Sequence, residues 1–252
     1  MFKSNISKIV LSLVAAVAFW LVLILLHSFF SGLPSVSRVI EALGGTSNGY
    51  IQALMYALFF YSIFELSAKK QSIQSEFAGF EQQVLPERDQ LVLSPEEVAK
   101  IKLDIIQKEK DGQRFLINKF IKKACTQYRN DKSIPDTLQV FNAQVDNSKD
   151  EEEGKLEIVR YLLGAIVSLG FIGTLMGLSS SIGMAHLAKT AEGMPTITSQ
   201  LNVAFDTTLV ALIIGLVLNF FYHRYLASID TFYSRTKSYV IDNLISRIYV
   251  PV

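Results

Sequence analysis

The sequence places three hydroxyl groups and one carboxylate inside long apolar stretches near its C-terminal end. Thr174 lies in the charge-free stretch 161–188, and Asp206, Thr207 and Thr208 are consecutive in the next apolar stretch. Hydroxyl oxygens can coordinate sodium or hold a chain of water molecules for protons, and a carboxylate at mid-span costs about 3 kcal/mol to insert. These four residues are therefore candidates for an ion pathway. Two simpler explanations stay open: a buried threonine can bond a carbonyl of its own helix, and Asp206 can reach the headgroups or a neighbouring backbone.

Thr207 and Thr208 are neighbours in one predicted helix and therefore point about 100° apart. Both side chains cannot face the same pore squarely. We expect one of them to line the pore and the other to pack or to bond its own backbone.

Small residues recur along the predicted helix that contains Thr174. Gly173, Gly177 and Ser181 are four residues apart and share one face, and Gly170 precedes them. In lipid, small residues at this spacing let two helix backbones approach closely. The pattern predicts a helix-packing face, and tight packing within one subunit would account for the glycines by itself.

The composition indicates that these helices belong to a membrane protein. Half of the 252 residues are apolar and only 19% are Asp, Glu, Lys or Arg, against about 25% in ordinary soluble domains. A formal net charge of +1 excludes the electrostatic footprint of a nucleic-acid-binding protein. A single cysteine, Cys125, and three scattered histidines argue against a metal site. The sequence contains no nucleophile–base pair and no cofactor-binding motif that would indicate an enzyme.

Four stretches are long and apolar enough to cross a bilayer as helices, which takes about 20 residues. We predict an all-α polytopic membrane protein with spans at residues 9–30, 50–66, 157–188 and 201–225. The loops 31–49 and 189–200 hold only Arg38 and Lys189 of the 24 lysines and arginines. Because cations favour the cytoplasmic side, we expect both termini and segment 67–156 in the cytoplasm and both loops in the periplasm.

Segment 67–156 is predicted to be a helical cytoplasmic domain, between spans two and three, with a nearly neutral and solvated surface. The run S-P-E-E at 94–97 is typical of a helix start, and Asp136 is the expected cap of another helix. From Lys149 the chain is expected to continue as one helix into the third span. The remaining segments are predicted to be a short cytoplasmic tail and a cytoplasmic C-terminal helix, at residues 1–8 and 226–252.

Two motifs in the last two spans resemble the signature of the MotA/TolQ/ExbB ion-channel family. The first, G-F-I-G-T-L-M-G-L at 170–178, has the form G-x-x-G-T-x-x-G, and the second is A-F-D-T-T-L-V-A-L at 204–212. The resemblance covers about residues 155–225. The four-span layout is similar to MotA, whereas the motif wording is closer to TolQ and ExbB. Prolines expected in the last two spans of flagellar MotA are absent, so the resemblance does not support flagellar torque generation.

The resemblance implies a ring of five identical subunits in the bacterial inner membrane, around a dimer of a single-span partner similar to MotB, TolR or ExbD. An aspartate in the partner's span takes up and releases the ion, and the ring threonines, here Thr174 and Thr208, line the route. No cofactor is implied beyond the transported ion, H⁺ or Na⁺. Asp206, directly before the threonines, is unusual for TolQ and ExbB. It either draws cations toward the outer mouth of the ring or binds a neighbouring subunit.

The leading hypothesis is therefore a ring-forming subunit of a motor that is driven by an ion-motive force and transduces force to the periplasm. The alternative is a non-conducting membrane scaffold or sensor that acts through its cytoplasmic helices. The two differ in whether function depends on Thr174 and Thr208.

Overall fold

The computed structural model describes residues 2–46, 49–86, 92–190 and 192–249. Within these ranges the chain forms helices joined by turns, with one isolated β-bridge between Leu93 and Ile248. The α-helices are α1 (Phe2–Phe29), α2 (Pro34–Ala42), α3 (Tyr50–Phe77), α4 (Pro95–Lys110), α5 (Leu116–Asp131), α6 (Ile134–Gly154), α7 (Glu157–Gly183) and α8 (Gly193–Asn243). Short 3-10 helices follow three of them, at Ala78–Gln82, Ala185–Leu187 and Ile245–Arg247.

Four helices, α1, α3, α7 and α8, are long and apolar enough to cross a membrane. Of the apolar part of α1, only 17% is buried by the rest of the chain. Most of its surface is therefore left uncovered by this chain, and such an apolar surface requires lipid or other apolar helices around it. The chain is an all-α polytopic membrane protein, as the sequence predicted.

The predicted loop 31–49 contains the helix α2, whose end is fastened to both flanking spans. The indole nitrogen of Trp20 on α1 donates to the carbonyl oxygen of Gly44 at 2.8 Å, and the hydroxyl of Tyr56 on α3 donates to that of Leu43 at 2.8 Å. Gly44 has a φ of +86°, in the left-handed region that glycine adopts without strain at helix ends. These contacts hold α2 at a defined place between α1 and α3.

The helix α8 differs most from its predicted bounds. It starts at Gly193, within the predicted loop 189–200, and runs unbroken to Asn243. The predicted fourth span and C-terminal helix are thus parts of one helix. No proline or glycine occurs between Leu216 and Asn243, so the helix continues where the apolar character ends.

The predicted single helix from Lys149 into the third span is interrupted. Helix α6 ends at Gly154, two residues form a turn, and α7 begins at Glu157 and ends at Gly183, short of the predicted 188. Glycine is a weak helix former, which favours a break at this point. The start of α6 also differs, because its cap is Ser133, whose hydroxyl accepts a hydrogen bond from the Asp136 amide at 3.3 Å.

The start of α4 is as predicted. The Ser94 hydroxyl accepts from the Glu97 amide at 3.3 Å, and the Glu97 carboxylate accepts from the Ser94 amide at 2.7 Å. This reciprocal pair is a capping box. It lowers the pKa of Glu97, because hydrogen bonds from the Ser94 backbone and side chain favour the carboxylate.

The chain divides into two compact units. The first combines Met1–Ser67 with Glu157–His223, and the second combines Ala68–Leu156 with Arg224–Val252. The second unit therefore contains the C-terminal part of α8 as well as the predicted cytoplasmic segment. There the ring of Tyr233, 2% exposed, is buried, and its hydroxyl donates to the carbonyl oxygen of Ser148 at 3.0 Å.

Candidate functional site

The small residues of α7 form a buried seam against α8 within the first unit. Gly170, Gly173, Gly177 and Ser181 all lie on the buried face of α7. A Cβ atom at Gly177 would lie 2.6 Å from the Cβ of Ala204, and one at Gly173 would lie 2.6 Å from the Cβ of Thr207. Real Cβ atoms do not approach this closely, so the two backbones can be this near only because glycine occupies these positions.

The seam extends to both sides of these two glycines. A Cβ at Gly170 would collide with the side chain of Ala211. At the other end the hydroxyl of Ser181 lies 2.9 Å from the carbonyl oxygen of Gly177 and 3.3 Å from that of Ile197 on α8. All four small residues therefore contact α8 of the same chain.

Thr174 and Thr208 meet at the edge of this seam. Their hydroxyl groups hydrogen-bond each other across the two helices. The Thr174 hydroxyl also lies 3.0 Å from the carbonyl oxygen of Ala204, and the Thr208 hydroxyl lies 3.1 Å from that of Gly170. The two hydroxyl groups and two backbone carbonyls thus form one polar cluster between α7 and α8.

The cluster has fewer protons than acceptors. Each threonine hydroxyl has one proton to donate and two lone pairs to accept with. One threonine can donate to the other while the second donates to its carbonyl, and the direction can reverse without movement of the oxygens. In either direction lone pairs remain on the hydroxyl oxygens, which a water molecule or a cation could use.

Both threonines are only partly buried, and their outer neighbours on the two helices are exposed. Phe171, one turn before Thr174, is 62% exposed, and Phe205, one turn before Thr208, is 64% exposed. Leu212, one turn after Thr208, is 55% exposed. The hydroxyl pair can therefore be reached from this exposed apolar face of α7 and α8.

Thr207 has a different environment from Thr208. It is fully buried, packs on Gly173, and donates to the carbonyl oxygen of Ala204 one turn earlier at 2.9 Å. Of the two adjacent threonines, Thr207 is the one that packs and bonds its own backbone. Thr208 is the one on the accessible edge.

Asp206 lies apart from the hydroxyl pair. It is 7% exposed, and its two carboxylate oxygens accept hydrogen bonds from the two terminal nitrogens of Arg38 at 2.7 and 2.8 Å. Two residues along a helix correspond to a rotation of about 200°, so Asp206 and Thr208 point to nearly opposite sides of α8. The structure does not bring Asp206 together with the other candidate pathway residues.

Arg38 was not predicted to be a site residue. In the sequence it stood out only as one of two loop cations. It lies on α2, and its guanidinium is also 3.8 Å from the Glu41 carboxylate. The hydrogen bond to Asp206 raises the pKa of Arg38 above its ordinary value, because the contact favours the charged guanidinium. Asp206 was the sequence signal for such a residue, because a carboxylate in an apolar helix needs a cationic partner.

Metal ligands are not grouped in the part of the chain that the structure describes, where no three His, Cys, Asp or Glu residues lie together. Comparison with known protein families gives a match between residues 113–238 and the family described as the MotA/TolQ/ExbB proton channel family. The match covers half of the chain. The protein belongs to the MotA/TolQ/ExbB family.

Membership in this family assigns the chain an ion-channel role in a membrane, and the family's members are channels rather than enzymes. The matched residues include the polar cluster of α7 and α8 and extend back through α6 and α5. They therefore reach further toward the N-terminus than the motifs recognised in the sequence. Comparisons with curated proteins and with solved structures give no match.

Proposed function

We propose that this member of the MotA/TolQ/ExbB family is a ring-forming subunit of an inner-membrane motor driven by an ion-motive force. Protons, with sodium as the alternative ion, pass along α7 and α8 where these helices contact a single-span partner. Passage of the ions drives movement of the ring relative to this partner, and that movement transduces force to the periplasm. The observation that carries this proposal is the hydroxyl pair of Thr174 and Thr208, which is partly buried at the edge of the α7–α8 seam.

The chemistry of the pair suits transient handling of a cation. Its two oxygens keep unused lone pairs, and its hydrogen-bond direction can reverse, which a proton relay through water requires. The pair has no formal charge, so it does not hold a cation as tightly as a carboxylate does. A charge that crosses 100 mV releases about 2.3 kcal/mol, which is the energy available to each step of the proposed motor.

The exposed apolar face around the pair supports assembly with other helices. Phe171, Phe205 and Leu212 flank the polar cluster, and a polar cluster facing lipid alone would be unfavourable. A ring of five copies around a dimer of a MotB-, TolR- or ExbD-like partner would cover this face and place the partner's aspartate beside the hydroxyl pair.

The distribution of cations supports an orientation with both termini in the cytoplasm. Arg38 and Lys189, in the two predicted outer loops, are the exceptions to a strong cytoplasmic bias of lysine and arginine. In a bacterial inner membrane this bias favours a periplasmic position for α2 and the α7–α8 connection.

The decisive experiment is ion flux through the reconstituted complex. The protein is co-expressed with a neighbouring gene product that has one membrane span containing an aspartate, and the complex is placed in liposomes under an imposed membrane potential. Proton uptake is measured with a pH-sensitive dye, for the unchanged complex and for Thr208→Ala and Thr174→Val. We expect flux that both substitutions abolish, whereas replacement of Na⁺ by K⁺ at constant pH leaves proton flux unchanged.

Two controls separate loss of conduction from loss of assembly. Thr231→Ala removes an exposed hydroxyl of the same helix, which donates to the carbonyl oxygen of Ala227 at 2.8 Å, and should leave the flux unchanged. Mass measurement of each purified complex should give the same five-subunit ring for all variants. Full flux in Thr208→Ala would contradict the proposal. It would favour the scaffold or sensor hypothesis, which instead expects sensitivity to charge reversal in residues 94–132.

A further inference from the structure

The Asp206 carboxylate is a buried ionisable group of the first unit that is held on both oxygens. Its side chain is 10% exposed, and both oxygens are engaged by one guanidinium. The partner, Arg38, is 168 residues away in the sequence and lies on a different helix. The pair therefore joins α2 to α8 at the level of the candidate site.

We propose that Arg38 and Asp206 are positioning residues for the ion pathway: they fix the rotation of α8 that places Thr208 opposite Thr174. This inference rests on the proposed function only for its physiological meaning. The geometric claim, that loss of the pair lets α8 rotate against α7, can be tested without ion conduction.

The first step of the argument is that Arg38 lies on a fixed element. The end of α2 is tied to α1 by the Trp20–Gly44 hydrogen bond and to α3 by the Tyr56–Leu43 hydrogen bond. The side chain of Arg38 therefore extends from a fixed backbone position. Its two parallel hydrogen bonds match both oxygens of one carboxylate. Such a bidentate contact restricts rotation of the acid in a way that a single hydrogen bond does not.

The second step is the order of side chains around α8. Successive residues are about 100° apart, so Asp206, Thr207 and Thr208 face three different neighbours. Asp206 faces Arg38, Thr207 faces Gly173, and Thr208 faces Thr174. Fixing Asp206 therefore also fixes which threonine meets Thr174.

The third step is that the other polar contacts across the seam join neutral groups. The residues of α8 that face the glycines are small, such as Ala204 and Ala211. Small residues permit this close approach, and the hydrogen bonds that cross it are made by hydroxyl groups. The Arg38–Asp206 pair adds a charged, bidentate contact, which is stronger than one between neutral groups, and it carries no net charge into the membrane.

The test is disulfide cross-linking of the full-length protein in membranes. The native cysteine is removed by Cys125→Ala, and three double-cysteine variants are made: Thr174→Cys with Thr208→Cys, with Thr207→Cys, or with Leu209→Cys. The first pair replaces two hydroxyls that contact each other, within the range of a disulfide. The other two report a rotation of α8 in either direction. The rate of cross-linking after addition of an oxidant is measured for each.

In the otherwise unchanged protein, the 174–208 pair should cross-link fastest. We define the preference as the cross-linking rate of this pair divided by that of the faster of the other two pairs. With Arg38→Ala or Asp206→Asn, this preference should fall by about fivefold, a size typical of coupling between contacting residues. The charge-exchanged protein with Arg38→Asp and Asp206→Arg should recover much of the preference. Lys189→Ala, which removes the other cation of the outer loops, is the matched control and should change nothing.

Poor folding of Arg38→Ala, which leaves a buried carboxylate without its cation, does not prevent the test. The double variant Arg38→Ala with Asp206→Asn contains no unpaired buried charge, and it should show the same loss of preference. An unchanged preference in this double variant would overturn the inference. Equal slowing of all three cysteine pairs would also overturn it, because that result indicates general destabilisation rather than rotation.

Ion flux distinguishes failure of this inference from failure of the proposed function. If the complex does not conduct but the cross-linking preference depends on Arg38, the positioning role holds and the motor function fails. If Arg38→Ala and Asp206→Asn change cation flux in opposite directions and leave cross-linking unaltered, the pair acts through its charges on passing ions. That outcome contradicts a positioning role.

Discussion

The hydroxyl of Thr174 hydrogen-bonds the hydroxyl of Thr208, although 34 residues separate them in the sequence. This contact exists because Gly170, Gly173 and Gly177 bring α7 and α8 within reach of two short side chains. The hydroxyl pair is thus a consequence of the small-residue stripe. The two features that the sequence suggested separately, packing glycines and polar threonines, are parts of one arrangement.

The first prediction concerns the hydroxyl group at position 208. Thr208→Ser keeps a hydroxyl and should retain most of the proton flux, whereas Thr208→Val keeps the shape and loses the hydroxyl. We expect Thr208→Val to lower flux by about tenfold or more, equivalent to roughly 1.4 kcal/mol on the barrier. The measurement is dye-detected proton uptake by liposomes that contain the complex. Equal flux in the serine and valine variants would show that the hydroxyl is not used.

The second prediction compares two glycines of the same helix. Gly173→Ala puts a Cβ 2.6 Å from the Cβ of Thr207, whereas a Cβ at Gly164 has no atom within 4 Å. Overpacking of this kind costs about 1–3 kcal/mol. In contrast, alanine is favoured over glycine in a helix by up to about 1 kcal/mol. Thermal unfolding in detergent, followed by circular dichroism, should show a lower midpoint for Gly173→Ala and an unchanged or higher one for Gly164→Ala.

A similar loss of stability in both glycine variants would contradict this view of the seam. It would mean that α7 tolerates no added methyl group anywhere, irrespective of its contact with α8. The comparison thus tests the close approach of the two helices without any assumption about ion transport.

Local patterns account for what the sequence predicted well. Charge-free stretches of about 20 residues are sufficient to predict membrane helices, and the S-P-E-E run at 94–97 contains the whole capping box of α4. The four-residue spacing of the small residues was enough to place them on one face of α7. Each of these features depends on residues within one or two helical turns.

Long-range contacts account for what the sequence did not predict. From the sequence alone, no partner could be named for the charge of Asp206. Its partner, Arg38, lies 168 residues away on a helix whose residues were predicted to be loop. The length of α8 was missed for another reason. Arg224 and Asp230 end the apolar stretch but do not end a helix, because charged residues are compatible with helix once it leaves the membrane.

The third prediction concerns the thiol of Cys125 on α5. The residue is 2% exposed, and burial raises the pKa of its thiol from the ordinary 9.0 to about 12. Near pH 8 the thiol therefore stays almost wholly protonated, and the thiolate is the reactive form. We expect almost no modification of the folded protein by a maleimide and complete modification after denaturation. In Ser238→Cys, the added cysteine at an exposed position of α8 should react quickly under the same conditions. Equally rapid reaction of both cysteines would show that α5 is not buried as described.

The fourth prediction concerns the contact between α6 and the C-terminal part of α8 in the second unit. Tyr233→Phe removes the hydroxyl that donates to the Ser148 carbonyl oxygen at 3.0 Å, and leaves the buried ring in place. A hydrogen bond of this kind contributes about 1 kcal/mol net, which corresponds to a decrease of about 2–4 °C in the unfolding midpoint of a chain this size. Tyr161→Phe, which changes a tyrosine that is 69% exposed on α7, is the matched control and should leave the midpoint unchanged. If Tyr233→Phe also leaves it unchanged, the hydroxyl does not stabilise the fold, and the attachment of α8 to α6 depends on the packing of its aromatic rings instead.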